Sequence, residues 1–155
     1  MKTNSKIQVV ITLSALCAVF SAFAPMPGAH NFQVYLDDKL MADQYTDSRT
    51  VAARIAIDPA ENHKQLIVKY NECNRTVSGR VLTFKDADNN ILKELKFEGT
   101  VKGLESPMTC NLKEIMALKP RNGNEIKIIY ASTDFPDGKH FATLVIGAGS
   151  STASN

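Results

Sequence analysis

The chain contains no tryptophan, and its aromatic residues amount to seven phenylalanines and four tyrosines in 155 residues. A broad sugar-stacking platform is therefore not expected, and any such surface would have to rest on Tyr35, Tyr45, Tyr70 or Phe135. Also missing is a run of like charge, so no electrostatic footprint for nucleic acid or for a membrane-surface helix exists. No serine sits in a Gly-x-Ser-x-Gly elbow, and phosphate loops and dinucleotide fingerprints are absent. Histidine and cysteine are scarce, three of each. Catalysis, cofactors and a resident metal are accordingly not expected, and the chain reads as a non-enzyme.

The first 29 residues, in contrast, carry a strong pattern. Lys2 and Lys6 precede an apolar stretch, Ile7 to Phe23, and then Pro25-Met26-Pro27-Gly28. A positive start, an apolar middle and small residues after it form the order of a secretory signal peptide. A transmembrane anchor is the rival reading. Gln8, Thr12, Ser14 and Ser21 within the stretch, and the Pro/Gly break after it, favour cleavage. Three cut sites stay open, after Ala24, after Ser21 or after Ala29. Lipidation at Cys17 is a minority reading, because Leu16 before it is not small. Of the 18 basic residues, Lys2 and Lys6 leave with the leader and no acid does, so 16 basic face 16 acidic residues and the mature chain is near neutral. Residues 30–148 are expected to form one domain and 149–155 a disordered tail. The destination is periplasmic or extracellular, with no stable membrane insertion after cleavage.

Export to an oxidising compartment changes how the thiols are read. Cys73 and Cys110 are the two cysteines of the mature chain, and an even count argues for one disulfide. The 38-residue loop it would close stabilises by about 4 kcal/mol in the chain-entropy treatment. Two unbridged buried cysteines are the alternative. A redox pair is disfavoured, since reactive pairs sit close in sequence.

Hydrophobic periodicity along the mature chain is mostly two. Phe32, Val34 and Leu36 alternate with Gln33 and Tyr35; Val51, Ala53, Ile55 and Ile57 form a second series, and Leu66, Val68 and Tyr70 a third. Leu82 and Phe84, then Ile91, Leu95 and Phe97, then Ile126, Ile128 and Tyr130 continue the pattern, and residues 141–146 are apolar on both faces as suits a central strand. Asp37-Asp38, the Asp86–Asn90 segment, Asn122-Gly123 and Pro136-Asp137-Gly138 supply turns. The expected fold is all-β, an antiparallel two-sheet sandwich, immunoglobulin-like or similar, with one short helix near 111–118. That helix would be capped by Asn111 with Glu114 reaching back, and stopped by Pro120.

Each remaining chemical candidate has a structural rival. Asp86-x-Asp88-x-Asn90 opens like a calcium loop, but Ile91 and Phe97 stand where glycine and the bidentate Glu belong, so a hairpin turn is expected. Asn74-Arg75-Thr76 matches a glycosylation acceptor, and Arg75 with Arg80 could hold an anion, although solvated arginines are the simpler reading. His63 and His140 are read as surface residues, with no carboxylate, Cys or second His expected within reach of either. His30 would make a copper chelate only if cleavage followed Ala29.

Phe32–Leu36, Asp43-Gln44-Tyr45, Tyr70–Cys73 and Met108-Thr109-Cys110 together resemble small exported proteins of unknown function from Bacteroidota. The likeness covers most of the mature chain; it implies a Gram-negative envelope and carries no activity. The expected function is thus that of an exported binding or structural module whose partner is an unknown protein or envelope component. A small-molecule or metal-binding module is the alternative, and an envelope enzyme stands third. If residues 141–146 lay at a sheet edge, Phe141, Ala142, Leu144, Val145 and Ile146 would be the apolar pool for a partner.

Overall fold

The computed structural model describes residues 30–46 and 49–147. The expected leader with its Cys17 and cleavage sites, and the tail from residue 148, lie outside the described residues. Alternating apolar residues bury one face of a strand, and two such sheets close on each other. One sheet has the order β2 (Lys39–Thr46), β1 (His30–Leu36), β4 (Gln65–Asn71) and β9 (Met108–Asn111). The other runs β3 (Ala53–Ile57), β11 (Lys139–Ile146), β10 (Glu125–Ala131), β6 (Arg80–Lys85) and β7 (Ile91–Phe97). A two-residue ribbon, β5 (Thr76–Val77) with β8 (Val101–Lys102), accompanies them.

The all-β sandwich is as expected, with one correction: β3 pairs parallel with β11, so the larger sheet is mixed. The connection from β3 to its neighbour β11 spans most of the domain, which removes the constraint that makes hairpin neighbours antiparallel.

Between the sheets, Phe32, Val34 and Leu36 of β1 and Leu66, Val68 and Tyr70 of β4 meet Ile55 and Ile57 of β3, Leu82 and Phe84 of β6, and Ile126, Ile128 and Tyr130 of β10. Each such aliphatic or aromatic side chain contributes about 1.5–3 kcal/mol on leaving water. β11 is an interior strand, Phe141, Ala142, Thr143 and Leu144 are all buried and Ile146 packs on the core, so of the apolar pool considered for a partner only Val145 is not taken up by the core. Val51 lies outside β3 and is exposed. A register shift between Phe84 and Lys85 sets Ile91 opposite Lys85, which turns Ile91 out to solvent.

The helix α1 (Leu112–Met116) buries Leu112 and Ile115 against the core. Asn111 caps it, its side-chain oxygen accepting from the Lys113 N–H at 3.0 Å. Glu114 does not reach back; its carboxylate takes Lys93 Nζ at 2.6 Å instead. No helix of the described residues is long and apolar enough to cross a membrane.

Candidate functional site

The two outward faces of the sandwich differ in chemistry. On the five-stranded sheet, cross-strand pairing brings Glu125 and Lys127 of β10 beside Lys85 of β6, with Glu94 and Lys96 on β7 and Arg54 on β3. Arg54 and Glu125 form an exposed ion pair at 2.7 Å. These charges surround a less solvated centre, where Thr83 and Thr143 are buried and Val81, Ile129 and Val145 half-buried.

The four-stranded sheet presents amides and tyrosines instead. Directly opposed residues share a face, so the register defines three rows. Tyr45, Asn31 and Asn71 make the first; Asp43, Gln33 and Lys69 the second; Leu40, Tyr35, Ile67 and Thr109 the third. Of these side chains only Asp43 and Lys69 carry charge, and they are opposite in sign. Tyr45 is 73% exposed and Leu40 49%.

Hydrogen bonds knit these rows together. The Tyr35 hydroxyl donates to Gln33 Oε1 at 2.9 Å, and Gln33 Nε2 donates to Asp43 Oδ2 at 2.9 Å. Asn71 Nδ2 donates to Asn31 Oδ1 at 2.8 Å. Lys69 Nζ stands 5.2 Å from the centroid of the Tyr35 ring, a cation–π distance. Beside that ring lies a depression of about 170 Å³, lined by Tyr35, Ile67, Lys69 and the turn residues Asp37 and Asp38. Asp37 has φ 51°, and this left-handed residue turns the chain directly from β1 into β2 and sets the rim of the depression.

At one end of the sandwich a second cluster closes the core. Tyr70 and Tyr130 stack at 3.9 Å between centroids, and the Tyr130 hydroxyl donates to Glu72 Oε1 at 2.8 Å. His30 caps the group: its Nδ1 is 3.3 Å from the Tyr70 hydroxyl, and its ring meets Phe135 edge-on. Burial lowers the His30 pKa, with the nearby Glu72 carboxylate opposing, and burial pushes Tyr70 up to about 12. Tyr130 is pushed up by burial and by its bond to Glu72. Tyr70 and Phe135, possible sugar platforms by sequence, are therefore committed here, one buried and the other packed on the core. Arg80 is buried nearby, donating to the Ser106 carbonyl at 2.7 Å, while its Nε finds no hydrogen-bond partner among the described residues. Arg75, in contrast, is exposed.

His63 departs from expectation. Its Nδ1 is 3.0 Å from Asp37 Oδ2 and its Nε2 is 2.8 Å from Glu61 Oε2, with the side chain 18% exposed. Hydrogen bonds to Asp37 and then Glu61 raise its pKa. The two ring nitrogens point in different directions, each to its own carboxylate, so the three groups cannot converge on one cation. Among the described residues no group of three His, Cys, Asp or Glu could hold a metal ion. The arrangement clamps the β3–β4 connection to the β1–β2 turn. Asp37 Oδ1 completes it by accepting from the Gln65 and Lys64 amides at 2.9 and 3.1 Å. His140 has a different role: its Nε2 is 2.9 Å from Thr143 Oγ1, and burial lowers its pKa.

The expected disulfide is absent. Cys110 pairs across from Leu66 at the start of β4, whereas Cys73 lies in the turn beyond Asn71 at its other end. Five strand steps at about 3.3 Å place roughly 16 Å between Leu66 and Asn71, far beyond the span of about 7 Å that a bridge tolerates. Burial pushes the Cys110 thiol up to about 12, so it is protonated and a poor nucleophile at neutral pH. A wider groove of about 400 Å³ runs beside it, lined by Lys64, Gln65, Thr109, Asn111 and Lys113. No aromatic wall or buried charge shapes that groove. The Asp86–Asn90 segment is a turn: Asp86 Oδ1 accepts from the Asn90 amide at 2.8 Å and Asn89 has φ 66°.

The buried Glu72 and the rows on the four-stranded sheet were not anticipated. Glu72 occupies the next inward position after Leu66, Val68 and Tyr70, so the period itself pointed to it. No protein-family model matches the chain, and no curated protein matches it.

Proposed function

We propose that the chain is an exported, non-enzymatic binding module of a Gram-negative envelope, and that it binds through the outer face of β2, β1, β4 and β9. The observation that supports this reading most is the contrast between the two sheet faces. One carries interspersed charges of both signs around a less solvated centre. The other has two opposite charges in its rows, Asp43 and Lys69, and bears Asn31, Gln33, Tyr35 and Asn71 already ordered by mutual hydrogen bonds, so these side chains have little freedom left to lose on binding. The lysines, apolar stretch and small residues of the first 29 positions support the export half of the reading.

Two measurements test the reading. Cell fractionation with intact mass of the recovered protein should show an extracytoplasmic species lacking the leader; an uncleaved cytosolic chain would end the export half. Retention of the protein on isolated envelopes should fall when Tyr45→Glu charges the amide face and should persist when Lys127→Glu alters the opposite one. Equal retention of both variants would end the binding-face half.

A further inference from the structure

Resting on the binding-face reading, we propose that the outer face of β1, β2 and β4 takes a neutral oligosaccharide, with one sugar ring held against Tyr35 and Ile67. The depression beside Tyr35 holds about 170 Å³, below the range of about 300–1,000 Å³ usual for drug-sized ligands and suited to a single ring. Its lining includes the Tyr35 ring and aliphatic Ile67, surfaces that a sugar's C–H face covers once the Lys69 ammonium, 5.2 Å from the ring centroid, swings aside. Its rim carries Asp38 and Lys69, one acceptor and one donor of opposite charge, which suits vicinal hydroxyls and gives no net attraction for an anion. Asp37, also at the rim, already has its carboxylate engaged by His63, Lys64 and Gln65.

The same chemistry continues along the strands. Gln33 and Asp43 lie in the adjacent row, and Tyr45, opposite Asn31, stands four strand steps from Tyr35, about 13 Å away. That distance suits a ligand of a few linked rings. An amide NH2 already donating once has a second hydrogen, and a carboxylate has spare acceptor sites, so the ordered network can still meet hydroxyls. A protein partner fits the face less well. Its central row is Asp43, Gln33 and Lys69, whereas protein interfaces place an apolar, charge-depleted cluster at the centre.

The test uses the mature protein on an array of neutral gluco-, manno-, galacto- and xylo-oligosaccharides with their sialylated and sulfated counterparts, followed by calorimetry on the best binder. At least one neutral oligosaccharide should bind. Tyr35→Ala should weaken it by about tenfold or more, the size of one lost aromatic contact. Tyr35→Phe should retain most of the affinity, Tyr45→Ala should lower it for longer oligosaccharides only, and Lys127→Ala should leave it unchanged. Circular dichroism confirms that each variant is folded; Tyr45, largely exposed on an edge strand, supplies a readout should Tyr35→Ala not fold. Failure to bind any neutral oligosaccharide, preference for the charged counterparts, or affinity indifferent to both tyrosines would overturn the proposal. If neutral glycans fail while a photocrosslinker at Tyr45 traps a protein in intact envelopes, the ligand class falls and the binding face stands. If both fail, both fall.

Discussion

The Tyr130 hydroxyl on one sheet donates to the Glu72 carboxylate at the end of the other, at 2.8 Å and with Glu72 only 4% exposed. This bond ties the two sheets together at the end of the sandwich where Tyr70, His30 and Phe135 complete the seal. Tyr130→Phe leaves a buried acid without its donor and should cost about 1–3 kcal/mol. Glu72→Gln keeps an acceptor of the same shape and should cost less. Glu72→Ala should fall with the Tyr130 variant, since it orphans a buried hydroxyl and opens space. Urea unfolding of the three variants checks the order; a Glu72→Gln cost equal to that of Glu72→Ala would mean that the hydrogen bond contributes little.

The His63 clamp makes stability depend on pH in a fixed direction. Bonds to Asp37 and Glu61 raise the pKa of His63 above its ordinary 6.5, so its contribution is fully present below about pH 6.5 and is lost as pH rises through the folded value. Asp37 is lowered below 3.8, first by its bond to His63, so its contribution is present above about pH 4 and is lost as pH falls through the folded value. The clamp is therefore strongest between these limits. His30 and His140, lowered by burial, act in the opposite sense below pH 6.5, where the unfolded chain takes up protons first. Imidazole NMR titration should show one histidine above 6.5 and two below it, and His63→Ala should remove the decline in stability as pH rises from 6.5 through the folded His63 value.

Strand pairing separates the two thiols, and labelling should report it. Native maleimide treatment should modify the exposed Cys73 and spare Cys110, which reacts only after unfolding. Mass spectrometry of the unlabelled monomer should show no intramolecular bridge. An intact Cys73–Cys110 disulfide in purified protein would require β4 and β9 to pair in another register.

Much of the fold was legible because one face of each strand is buried. Phe32, Val34 and Leu36, and likewise Ile126, Ile128 and Tyr130, alternate with outward residues, and a period of two admits one arrangement. Long-range pairing left no such mark. The parallel β3–β11 contact and the register shifts after Val34, Phe84 and Ile128 depend on which strands meet. The expected disulfide came from counting cysteines, whereas its geometry depends on the direction of β4. The candidate face was half visible: Gln33, Tyr35 and Lys69 read as outward, but their assembly with Asp43 and Tyr45 needed the β1–β2 register. Glu61 lies two residues from His63, whereas Asp37 lies 26 residues away and reaches it only through the fold.

Two glycines in left-handed turns separate backbone strain from crowding. Gly138 has φ +66°, and a Cβ there would lie 2.8 Å from the Tyr130 carbonyl oxygen and 3.0 Å from Ile129 Cγ2. Gly123 has φ +74°, but a Cβ would meet nothing within 4 Å. Gly123→Ala therefore bears only the conformational penalty, about 1–2 kcal/mol. Gly138→Ala bears the same penalty together with a clash against backbone that cannot rotate away, and it must push the turn off β10. Its cost should exceed that of Gly123→Ala by at least about 1 kcal/mol. Thermal unfolding of the pair settles the comparison, and equal midpoints would show that the Pro136–Gly138 turn yields more freely than its contact with Tyr130 implies.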